Sequence, residues 1–121
     1  MSNQLILTPL ELKIMQILWD MGKGLVKDIL ERWTDDTRPA YNTISTVVRL
    51  LQEQKNCIGH RSVGRHHEYF PLVSREDYQK GFMRNTLDRV FGGSVSALLS
   101  TLVSNEQISE EEINELKKLL E

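Results

Sequence analysis

The 121-residue sequence predicts a mainly α protein in two parts: three helices closed by a small β-hairpin over residues 1–73, then a helical region over residues 74–121. Three observations predict it. Apolar residues recur at helical spacing in three successive segments before Asn56. A glycine-centred hairpin pattern then occupies Cys57 to Val73. Beyond Ser74 helical stripes return and the charge changes sign. Between Thr37 and His67, Arg38, Arg49, Lys55, Arg61 and Arg65 stand against Glu53 alone, a balance of +4; from Ser74 onward six basic residues stand against nine acidic ones, a balance of −3. The overall charge of −2 hides this division.

The first helix is predicted over residues 8–21. Thr8-Pro9-Leu10-Glu11 is a capping box with proline at the first helical position. Leu10, Ile14, Ile17 and Leu18 share one face, and Gly22 and Gly24 end the run. A second helix follows over residues 25–33, with Val26, Ile29, Leu30 and Trp33 at helical spacing. Thr34-Asp35-Asp36-Thr37 is turn material, and Pro39 stops an earlier helix from running on.

The third segment, Ala40 to Lys55, sets two signals against each other. Tyr41 to Val48 is rich in β-branched and aromatic residues, which favours a strand. Ile44, Val47, Val48 and Leu51, however, lie at i, i+3, i+4 and i+7, one buried face of a helix. The spacing predicts a helix, with Asn56 as a left-handed cap. The hairpin has arms over residues 57–62 and 66–72 and a tip at Val63-Gly64-Arg65.

After it, Ser74 caps a helix to about Phe91, with Tyr78, Phe82, Met83, Leu87, Val90 and Phe91 along its stripe. Gly92-Gly93 breaks it. Val95, Leu98, Leu99, Leu102 and Val103 form the next stripe, and the Ser109–Glu112 capping box opens a last helix carrying Ile113, Leu116 and Leu120.

Helix, helix, helix, hairpin is the order of a winged helix-turn-helix. A helix fits the B-DNA major groove, and short polar side chains on its outer face reach base edges and phosphates. Arg38, Tyr41, Asn42, Thr43, Ser45, Thr46 and Arg49 have the right chemistry for the third helix; Arg61, Arg65 and His66 on the hairpin suit the flanking backbone. Units of this architecture also serve as protein-interaction modules, and the local basic charge favours DNA. The apolar stripes on Tyr78, Phe82, Leu87, Val90, Phe91, Val95, Leu98, Leu99, Leu102, Ile113, Leu116 and Leu120 are more than so short a segment covers by itself. A second copy covers them in a homodimer; packing on the N-terminal part of the same chain is the alternative. A two-fold dimer implies a palindromic site.

Other classes fit poorly. Apolar runs of a few residues are too short for membrane insertion. With no signal segment and one cysteine, the expectation is a cytoplasmic protein. His60, His66 and His67 lie near Cys57, but no second cysteine completes a zinc set, so no metal or cofactor is expected. Neither a phosphate loop nor a nucleophile motif is present, and no enzyme is expected.

The chain resembles the penicillinase-repressor family of bacterial regulators, which includes methicillin-resistance and copper-responsive branches. The matching text is Leu10-Glu11-Leu12-Lys13-Ile14-Met15 with Trp19, Tyr41 through Leu50, Gly64-Arg65 with Tyr69 and Pro71, and Ile108-Ser109 through Leu116. The resemblance implies a homodimeric repressor on dyad operators, with Asn42, Thr43, Ser45 and Thr46 as reading residues. It also implies relief by a membrane-embedded sensor metalloprotease that responds to β-lactam and cleaves in the helix after the glycine pair. The matching position is Thr101-Leu102, where resistance members carry Asn-Phe. Ser45 stands where some relatives carry Arg, and Asn56 where many carry Gly. The cysteine-rich terminal motif of the copper branch has no counterpart here.

Overall fold

The structure, a computed structural model, describes residues 6–105 and 107–120; the Leu120 side chain lies outside that description. The elements run α1 (Pro9–Met21), α2 (Val26–Glu31), α3 (Tyr41–Glu53), β1 (Ile58–Val63), β2 (His66–Pro71), α4 (Arg75–Val90), α5 (Val95–Ser104) and α6 (Glu110–Leu120). The chain forms two compact units, divided between Phe82 and Met83. That division falls inside α4, whereas the pattern change in the sequence lies at Val73–Ser74.

In the first unit α1 begins as predicted. The Thr8 hydroxyl accepts from the Glu11 amide at 3.2 Å, and the Glu11 carboxylate accepts from the Thr8 amide at 2.8 Å. Ile14, Met15 and Leu18 are fully buried, together with Ile29 of α2, Ile44, Val48 and Leu51 of α3, and Ile58 of β1. Each such side chain contributes about 1.5–3 kcal/mol by leaving water. Helical spacing therefore prevails over β-propensity in α3, because only a helix turns Ile44, Val48 and Leu51 to one side. Asn56, at φ 53°, closes the segment, and the Cys57 amide reaches back to the Leu51 carbonyl at 3.1 Å. The second helix ends at Glu31, short of the predicted Trp33; the Arg32 and Trp33 amides turn back to the carbonyls of Ile29 and Leu30.

The antiparallel hairpin corrects its predicted tip. Val63 pairs with His66, so the loop is Gly64-Arg65 alone. Gly64 takes φ +62°, the first position of a two-residue loop, where a type II′ turn demands glycine. The hairpin also gains a pairing the sequence did not announce. Gly24 bridges Tyr69, with Gly24 N–H to Tyr69 O at 2.9 Å and Tyr69 N–H to Gly24 O at 2.8 Å. The α1–α2 connection is thus a third, one-residue strand.

The start of α4 belongs to this unit. The Trp19 indole N–H donates to the Val73 carbonyl at 2.8 Å, Arg75 stacks over the Trp19 ring and pairs with Asp20 at 2.6 Å, and Tyr78 lies 5.9 Å from Trp19, centroid to centroid. Tyr78, grouped by its spacing with the C-terminal stripe, is buried in this core with 7% exposure.

The second unit has no buried side chain among its described residues. Phe91, Leu98, Leu99, Leu102, Ile113 and Leu116 are half-buried, as is Leu87; Val90, Val95 and Val103 are exposed, and so is Phe82 at the end of the first unit. Gly92 and Gly93 both take positive φ where α4 gives way to α5. The predicted Ser109 box is present, its hydroxyl accepting from the Glu112 amide at 3.1 Å. Among the described residues no helix is long and apolar enough to cross a membrane.

Candidate nucleic-acid interface

The same packing that buries Ile44, Val48 and Leu51 turns the opposite side of α3 to solvent. Tyr41, Asn42, Thr43, Thr46 and Arg49 are exposed there, Ser45 is half-buried at the edge, and Arg38 is exposed just before the helix. The first turn of α3 carries no acidic residue, so its N-terminal amides and partial positive charge are not offset by a side chain of the helix itself. Among the described residues Arg38, Arg49 and Arg65 take part in no ion pair.

The hairpin stands beside this face and encloses with it a groove of about 380 Å³. Ser45, Arg49 and Gln52 of α3 line one wall, and His60, His67 and Tyr69 of the hairpin line the other. Arg65 and His66 come from the hairpin end. The structure therefore brings Tyr41, Ser45, Arg49, Arg65 and His66 together around one concavity, while Asn42, Thr43 and Thr46 lie on the exposed part of the helix.

Arg61 differs from the rest of the predicted set. Its register partner is Glu68, and its guanidinium donates to the Glu68 carboxylate at 2.7 Å. Its charge is partly committed within the hairpin, whereas Arg65 at the tip has no such pair among the described residues.

Gln52, His60, His67 and Tyr69 are among the groove residues that the sequence did not assign to this face. The His60 and His67 rings stack at 4.4 Å with planes 4° apart, and His60 Nδ1 is hydrogen-bonded to the Gln52 amide nitrogen. The signal that finds them is the register. A two-residue loop makes His60 and His67 diagonal neighbours on one face, while a three-residue tip slips the pairing by one and separates them. Burial pushes the Tyr69 hydroxyl above its ordinary value of 10.0; Arg49 opposes that shift and Tyr41 adds to it.

Two further groups are structural. Burial alone pushes the Glu11 carboxyl up, but the Lys55 ammonium at 2.6 Å and the Thr8 amide outweigh it and hold the carboxyl below its ordinary value. Burial pushes the Cys57 thiol up, which keeps it a protonated core side chain.

Comparison with known proteins agrees with this geometry. Residues 7–121 match the family described as Penicillinase repressor. A penicillinase repressor from Bacillus licheniformis is 28% identical over 112 residues, covering 92% of this chain and 86% of that protein. The methicillin resistance regulatory proteins MecI of Mammaliicoccus sciuri and of Staphylococcus aureus (strain N315) are each 26% identical over 110 residues, covering 91% of this chain and 89% of theirs. With the polar side of its third helix open to solvent beside a hairpin and a family match over nearly its whole length, the chain belongs to the penicillinase repressor family of transcriptional repressors.

Proposed function

We propose that the protein is a homodimeric repressor that binds a palindromic operator in double-stranded DNA. The observation that carries this is the division of α3, with Ile44, Val48 and Leu51 wholly buried and a polar face that carries Arg49 open to solvent opposite them. In this reading Asn42, Thr43, Ser45 and Thr46 read base edges in the major groove, and Arg38, Tyr41, Arg49, Arg65 and His66 hold the backbone. Arg61 contributes less, because Glu68 shares its charge.

Dimerisation is supported by the second unit, whose three helices carry apolar stripes with no fully buried member among the described residues. A second copy supplies the missing cover on Phe82, Leu87, Val90, Phe91, Val95, Leu98, Leu99, Leu102, Ile113 and Leu116. Relief by a membrane-embedded sensor metalloprotease belongs to the same reading, with cleavage at Thr101–Leu102. That bond lies within α5, where the Thr101 hydroxyl donates to the Ala97 carbonyl at 3.0 Å, so cutting requires the helix to open locally.

The test is a fluorescence-anisotropy titration of the full chain against DNA from upstream of its own gene, with a shuffled duplex as control, at several salt concentrations. Selective binding by two chains per duplex with a steep salt dependence is the expected result. Equal, weak binding to both duplexes overturns operator recognition there and turns the hairpin unit toward a protein partner.

A further inference from the structure

The groove between α3 and the hairpin contains a feature that base reading does not use, the His60–His67 stack. Two coplanar imidazoles at 4.4 Å cannot both carry a charge without strong repulsion, so the stack holds at most one proton. The Gln52 amide meets His60 Nδ1 and serves either form of the ring, its N–H donating to a ring lone pair or, with the amide turned, its oxygen accepting a ring N–H.

Charged groups face the stack from every element around the groove. Lys27 faces it from α2, Arg49 from α3, Arg65 from the loop and His66 from β2; Glu53 is the one carboxylate among the lining residues, and Tyr41 and Tyr69 supply hydroxyls. Three permanent cations against one carboxylate leave the groove with a surplus of positive charge. A phosphodiester entering the groove offsets part of that surplus. It brings a full negative charge to the mouth of a cleft whose walls already carry cations, and a charged imidazole then gains a partner.

We propose that this groove seats a DNA-backbone phosphate, and that the His60–His67 pair takes up one proton per protomer as the phosphate enters. Repulsion within the stack limits the uptake to one. A protonated His60 must donate from Nδ1, so Gln52 turns its amide to present oxygen instead of nitrogen. The inference rests on the DNA-binding reading above and adds a linkage to it: the protein holds DNA more tightly as pH falls through the range in which imidazoles titrate, about pH 8 to pH 6.

The test uses the full chain, a mixed-sequence duplex and constant ionic strength. Anisotropy titrations across that range are expected to show Kd falling by up to about tenfold per pH unit for each proton taken up, a limit of about a hundredfold for a dimer. Calorimetry in buffers of different ionisation enthalpy counts the proton directly on the unaltered protein. The double variant His60→Gln, His67→Gln is expected to lose the pH slope while still binding in a salt-dependent way, and circular dichroism checks that it folds. A double variant with the wild-type slope overturns the assignment to the stack. Steep salt dependence with no pH slope and no proton uptake in the wild type overturns this inference and leaves DNA binding standing. Absence of binding to any duplex at any pH overturns both.

Discussion

Arg49 and Arg61 carry the same charge in different circumstances. Arg49 projects from α3 with no ion pair among the described residues, while Arg61 spends its guanidinium on Glu68. Arg49→Ala and Arg65→Ala are therefore expected to weaken DNA binding without lowering the melting temperature, each flattening the dependence of log affinity on log salt by about one unit per protomer. Arg61→Ala is expected to change the affinity less than either, and anisotropy at several salt concentrations ranks the three. Glu11 makes a prediction about stability. Its carboxyl is held below the ordinary value of 4.5, so the stabilisation it brings is present above that pH and is lost as pH falls through the lower folded value. Glu11→Gln, which keeps an acceptor for the Thr8 amide but leaves Lys55 without its counter-charge, is expected to cost about 1–2 kcal/mol at neutral pH. Urea unfolding should show that gap closing once the pH is well below 4.5.

At the scale of elements, α3 was legible because its apolar spacing is unambiguous even where its residues prefer strands. The capping boxes at Thr8 and Ser109 were legible for a related reason, since both partners lie within one turn. The hairpin was legible as an element but not in register. Val63-Gly64-Arg65 is consistent with either a two- or a three-residue loop, and local sequence does not choose between them. Pairing with Gly24 contributes to the choice, and that contact spans more than forty residues of chain. Gly64→Ala tests the turn. An L-residue at φ +62° costs about 1–2 kcal/mol, so the variant should melt lower, and DNA binding should weaken if the strain displaces Arg65. Ile44→Ala, on the inner face of the same helix that carries the polar row, is expected to destabilise the fold by about 2–5 kcal/mol in chemical denaturation.

For the whole molecule the sequence separated a basic head from an acidic helical tail but placed the junction at the end of the hairpin. Tyr78 explains the difference. At i, i+4 from Phe82 it belongs by spacing to the tail's stripe, yet its ring packs on Trp19 and its hydroxyl accepts from the Leu7 amide at 3.4 Å. Only the tertiary position of α1 reveals this. A chain ending at Val73 should accordingly be markedly less stable than one ending at Phe82, measured by thermal melting. Both should sediment as monomers and bind operator more weakly than the full chain if the proposed dimer is held by the second unit. A dimeric 1–82 fragment would move the dimer contact to the head.

The single-residue bridge between Gly24 and Tyr69 bears on how the hairpin moves. A two-stranded ribbon by itself is marginal in water and flickers open on its own. Here the Tyr69 N–H and C=O both point away from β1 and bond Gly24 in the turn between the first two helices. Strand β2 is therefore held along both edges, by β1 on one and on the other by Gly24, next to the buried Val26. In native-state hydrogen exchange the Gly24 and Tyr69 amides should thus be released together and late, while the amides near Arg65 exchange early. The ribbon then has a fixed root and a loose tip, and only the tip adjusts to the contour of what it grips.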